Sequence, residues 1–209
     1  MILHLAEQLE VPLRDRNDLL LAGGFAPAYA QRRLEDPQMS LVREAIELVL
    51  SAYEPHPALV VDRGWNLVAA NRTVAVLTAG AATWLLEPPI NVLRLSLHPE
   101  GVASRIVNLA QWRAHVLHRL AREADLSGDQ HLADLHREFA ALPGGSDRSP
   151  PNAIAVPLRI RHGPAELAFL STVTTFGSAI DITVAELSIE AFLPADQHTA
   201  DAVRELAST

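Results

Sequence analysis

Nine histidines are the first candidates for chemistry in this chain. His115 and His118 stand three apart within a helical pattern and could share a metal-facing side. His131 and His136 stand five apart in the next such stretch. No H-E-x-x-H motif joins either pair, and no acidic residue lies between His115 and His118. The pattern therefore predicts surface or half-buried structural histidines, and no metal or other cofactor. A hydrolytic triad would need its serine on a G-x-S-x-G turn, and Ser146, Ser149 and Ser178 stand in polar stretches without it. Gly23-Gly24 has no phosphate-loop or dinucleotide context and reads as a helix stop. With no cysteine, thiolate metal sites, iron–sulfur clusters, disulfides and cysteine nucleophiles are excluded. What remains is chemistry by shape, an apolar cavity, with no catalysis expected.

A cavity needs a curved sheet and helices to close it. The chain has 209 residues, 49% of them hydrophobic, enough for one large domain or one domain with an appendage. Its net charge of −8 argues against a broad nucleic-acid surface. It has neither an apolar run long enough to span a membrane nor a signal-peptide pattern at its start, so a cytoplasmic protein is expected. Apolar periodicity predicts helices over 2–10, 14–22, 39–52, 106–124, 129–142 and 195–206, with shorter ones at 72–77, 83–86 and 99–105. Residues 25–38 read as a linker, with a short helix possible at 28–34. The 91–97 segment fits either a short helix or a strand. Residues 143–151 read as a loop.

The β-signals fall in two groups. Ala58–Val61 and Trp65–Ala69 flank Asp62-Arg63-Gly64, where Gly64 is expected to supply a positive φ. Asn71 or Thr73 is placed to cap the short 72–77 helix. Runs at 153–161, 166–176 and 182–194 are separated by hairpin-type turns. Two early and three late strands predict an α+β fold, with a five-stranded antiparallel sheet covered by the intervening helices.

The stretch Pro57 to Asn71 also carries a resemblance. Pro57, Leu59, Val60, Asp62, Trp65 and Asn71 match, in order, the hairpin of the MmyB-like ligand-binding domain. That PAS-like domain stands behind a helix-turn-helix in many Xre-class bacterial regulators. Asn91–Arg94 with His98-Pro99, and the basic strand 156–161, are weaker matches. The similarity runs from about Leu41 to Leu193, and it implies that 91–97 is helical. Residues 5–29 resemble the closing helices of an Xre-type DNA-binding domain. The expected organisation is then a remnant of that domain at 1–24, a linker at 25–38 and the PAS-like domain at 39–209. The recognition helix would lie ahead of Met1.

The resemblance implies a lipophilic ligand, a long-chain fatty acid above other classes, held between the sheet and helix 106–124. Leu93, Leu97, Trp112, Phe139, Phe169, Val173 and Leu187 are the large residues expected to face that space. Ser171 and Ala185 are the small ones expected to leave room. Arg94, Arg113, Arg159 and Tyr53 are candidates to meet a ligand carboxylate. A homodimer is expected, with DNA contacted only through the missing helix-turn-helix. The rival readings are a small hydrolase using the same pocket and a dimerisation module with a filled core.

Overall fold

A computed structural model describes residues 1–145 and 155–207. Ser146, Ser149 and the start of the expected 153–161 strand lie outside the described residues, as does most of the 143–151 loop. Five strands form one antiparallel sheet: β1 (Ala58–Val61), β2 (Leu67–Ala70), β3 (Leu158–His162), β4 (Ala165–Thr175) and β5 (Ser188–Pro194). Their spatial order is β2-β1-β5-β4-β3, so the early hairpin joins the late meander through a β1–β5 seam. The fold is the expected PAS-like α+β arrangement, with an N-terminal helical segment of α1 (Ile2–Gln8) and α2 (Leu13–Ala22).

Strand alternation sorts the core into two layers. On one face of β1, Leu59 and Val61 join the main core. On the other, Ala58 and Val60 join a smaller one. β5 divides likewise: Phe192 faces the main core, while Ile189 and Ala191 face the smaller one. Helix α3 (Ser40–Tyr53) covers the smaller layer with Ile46 and Leu50. The main layer is closed by α4 (Ala75–Thr78), α5 (Val92–Leu97), α6 (Leu109–Ser127) and α7 (Gln130–Ala141). Trp112, Val116, Leu120 and Ala124 give α6 one buried stripe at helical spacing.

Several expected elements are redrawn. The 182–194 run divides into helix α8 (Ile182–Ala185) and β5. Asp181 accepts from the Thr183 amide at 2.9 Å and caps that turn, which overrides the β-preference of Ile182, Thr183 and Val184. Helix α6 starts at Leu109, because Ile106 bridges to Ile160 and the Val107 amide donates to the Arg159 carbonyl at 2.8 Å. Residues 99–105 make a turn and a short 3-10 segment at Ala103–Arg105 instead of a full helix. No helix forms at 28–34, where Ala30 bridges to Asp181. Residues 91–97 are helical, with Asn91 Oδ1 capping the Arg94 amide at 3.1 Å. The closing helix is α9 (Gln197–Ala207), joined to β4 by the Ala168 amide donating to Thr199 Oγ1 at 2.9 Å.

Candidate functional site

The β1–β2 turn positions the site. Asp62 Oδ1 accepts the Asn66 amide at 2.8 Å, as turn chemistry predicts. The positive φ falls on Trp65, at 63°, and not on Gly64. The indole is anchored from outside the hairpin, which explains why a non-glycine residue takes this conformation. Trp65 Nε1 donates to Glu123 Oε2 on α6 at 2.9 Å, and the Arg119 guanidinium lies 4.3 Å from the ring centroid. Gly64 instead sits in a tight space, where neighbouring side chains would have to give by a few tenths of an ångström to admit a side chain. A Cβ there would stand 3.0 Å from Asn66 Nδ2 and 3.4 Å from His131 Nε2.

Beneath this hairpin lies an apolar cavity of about 80 Å³. Its sheet wall is Leu59, Leu67, Leu158, Ile160, Glu190 and Phe192. Leu77 and Thr78 close it from α4, and Val92, Leu93, Leu95 and Ser96 from α5. Trp112 closes it from α6 and donates through Nε1 to Ser96 Oγ at 3.0 Å. Thr78, Val92 and Ser96 are only half-buried and mark its edge. At about 80 Å³ the space is smaller than the roughly 300–1,000 Å³ of common ligand pockets. A long chain would have to move the α4–α5 wall outward.

A second, smaller cavity of about 20 Å³ shares Leu93, Trp112 and Glu190 with the first and is lined also by Trp65, His115 and Arg119. Glu190 is only 6% exposed. Its Oε1 accepts from Arg119 Nη1 at 3.0 Å, and Arg119 Nε reaches Glu123 Oε1 at 3.2 Å. One guanidinium thus serves two carboxylates and the Trp65 face. Burial pushes the His115 imidazole below its usual pKa, helped by the positive charges of Arg119 and His118.

The expected site residues are dispersed. Leu93 and Trp112 line the cavity. Leu97, Phe139 and Phe169 are fully buried in the same core, behind its wall. Val173 shares a sheet face with Glu190 but is 45% exposed and does not line the cavity. Leu187 belongs to the smaller core under α3. Ala185 borders a surface depression outside the cavity, and Ser171, paired with Phe192, does not line the cavity either. The candidate cations are engaged elsewhere. Arg94 binds both oxygens of Glu138, at 2.6 and 2.8 Å, which holds that carboxyl below the usual range. Arg113 caps the end of α7 through the Ala140 carbonyl at 2.6 Å. Arg159 pairs with Glu166, and Tyr53 packs into the smaller core. Sequence reasoning misses Arg119 and Glu190. The signal for them is a lone carboxylate in the apolar run of β5, which burial makes costly without a partner.

Among the described residues, no group of three or more histidine, aspartate and glutamate side chains could hold a metal ion. Nor is any described helix long and apolar enough to cross a membrane. A PAS-like sheet roofed by helices, with an apolar cavity between them, is the frame of a small-molecule-binding module. Residues 42–206 match the MmyB-like transcription regulator ligand binding domain, and the chain belongs to that family. Its role is that of a ligand-sensing part of a transcription regulator. No curated protein matches the chain.

Proposed function

We propose that this chain is the sensor region of a bacterial Xre-class regulator. A long-chain lipophile, with the fatty acid as the leading class, binds beneath the β1–β2 hairpin and shifts the regulator's DNA affinity. The cavity carries the reading: its wall is apolar apart from Thr78, Ser96 and Glu190. Helices α1 and α2 are read as the closing helices of a helix-turn-helix domain. Exposed Leu3, Leu5, Leu9, Leu19 and Leu21 support this, as an apolar surface suited to further helices. A homodimer through the outer face of α3 is part of the same reading, supported by Leu41 and Leu48, which are 76% and 72% exposed.

A chain of ion pairs supplies a route between the two parts. Arg14 on α2 grips Glu186 at 2.7 and 2.8 Å, Glu186 also meets Arg63 in the hairpin turn at 3.3 Å, and Arg63 meets Asp129 before α7 at 2.9 Å. A ligand that fits one arrangement of hairpin and α7 better than another would bias α2 by that difference in affinity.

The test is a series of fatty acids and fatty alcohols of rising length, measured by calorimetry and native mass spectrometry. Affinity should grow by up to about 0.8 kcal/mol per added methylene until the opened cavity is full. Val92→Trp, at the cavity edge, should abolish uptake while the circular dichroism spectrum is kept. Absence of binding across the series would leave the filled-core dimerisation module as the better reading.

A further inference from the structure

The polar end of the cavity is acidic. Among the described residues lining the main chamber, Glu190 is the one charged side chain. Its partner Arg119 is already shared with Glu123, so one guanidinium serves two carboxylates. Glu190 Oε1 is occupied by Arg119, and Oε2 receives no hydrogen bond from a described residue. The other polar wall groups are hydroxyls. Thr78 Oγ1 is 3.4 Å from the Val74 carbonyl, and Ser96 Oγ accepts from Trp112. A ligand's head group here meets the Glu190 carboxylate and the Ser96 and Thr78 hydroxyls, and no cationic side chain among the described residues lining the main chamber.

We infer that this end selects long-chain lipophiles whose head group donates a hydrogen bond without carrying negative charge, a primary alcohol or a primary amide, with Glu190 as the acceptor. The inference rests on the reading that the cavity binds a long-chain lipophile, and it names the head group. An ionised carboxylate would lie beside a second carboxylate, and like charges disfavour each other. A free fatty acid fits the same wall only as the neutral acid, whose O–H is then the donor. Glu190 is thereby a specificity residue, and Arg119 is a positioning residue that holds it against α6 and the Trp65 ring.

The experiment holds chain length constant and changes only the head. Decanol, decanamide, decanoate and methyl decanoate are titrated into the full chain at neutral pH by calorimetry. Decanol and decanamide should each bind at least about tenfold more tightly than decanoate. Methyl decanoate, which has no donor, should fall below the alcohol. In Glu190→Gln the penalty on decanoate should shrink by about tenfold or more, with decanol changed little. Decanoate binding as well as or better than decanol on the unaltered chain would overturn the inference while leaving the sensor reading intact, and this ranking needs no variant. An unchanged ranking in a folded Glu190→Gln protein would also overturn it. Failure of all four compounds to bind would overturn both.

Discussion

Asn71 uses both polar atoms of its amide, and each serves two partners. Oδ1 accepts from the Ala58 amide at 3.1 Å and from Thr73 Oγ1 at 2.8 Å. Nδ2 donates to the Leu50 carbonyl at 3.2 Å and the His56 carbonyl at 2.8 Å. The residue ties the end of α3 to the start of β1. Asn71→Ala should destabilise the fold by about 2 kcal/mol or more, since it strands buried donors and acceptors that water cannot reach. Urea unfolding would measure this, and a loss below about 0.5 kcal/mol would contradict it. In sequence, Asn71 reads as a helix cap because capping is local; three of its four partners lie 13 or more residues away. The positive φ is expected at Gly64 and found at Trp65 for the same reason, since what anchors the indole is on α6. Two histidines give a pH prediction. Burial lowers the pKa of both His56 and His115 in the folded state. The unfolded chain therefore binds more protons in the window just below about 6.5, and stability should fall as pH drops through that window. His115→Gln should flatten that part of a stability-against-pH curve, measured by thermal melts.

The short helix α8 depends on one carboxylate. Asp181 is buried, accepts the Thr183 amide and pairs with Arg32 Nη1 at 3.0 Å. It thereby fixes the 30–34 segment as well, whose Ala30 carbonyl accepts from the Ile182 amide at 2.8 Å. Asp181→Ala should cost about 1–2 kcal/mol, and it should speed hydrogen exchange of the Ile182 and Thr183 amides before those of β5. Uniform exchange across α8 and β5 would contradict that order. At this scale the sequence is most legible where periodicity is long. Helices α3, α6 and α7 and strands β1 and β4 stand within a few residues of the pattern that marks them. It is least legible where a few residues make sense only against a distant neighbour. The 182–185 turn has strand-forming residues and a helical cap, and Ile106 has a helical neighbour and a strand partner.

The whole molecule separates its two cores by a single sheet, and that division limits what sequence can say about the site. Strand number and the covering helices are legible in the pattern, but which strand meets which is not. The β1–β5 seam sets Leu59 opposite Glu190 and so brings the hairpin, β5 and α6 to one place. Residues chosen for size alone are scattered between both faces, Leu187 among them. The outer face of α3 bears on association. The double variant Leu41→Glu, Leu48→Glu should convert a dimer into a monomer by sedimentation at tens of micromolar while the melting temperature stays close to that of the parent chain. A parent chain that is already monomeric there would count against the dimer. With its net charge of −8, the chain alone should bind duplex DNA no more tightly than the nonspecific range, weaker than about 10⁻⁶ M, in an anisotropy titration at moderate salt.

The three tryptophans stand in three different surroundings. Trp112 borders the cavity, Trp65 lies under the Arg119 guanidinium, and Trp84 is 48% exposed with its ring edge-on to His98 at 5.1 Å. The protein therefore carries its own optical reporters. Filling the cavity should change the emission of Trp112, and a shift of the hairpin should change that of Trp65. Trp84 remains a solvent-facing reference. Single-tryptophan versions would let one titration separate occupancy of the chamber from movement of the turn above it, without attaching a dye.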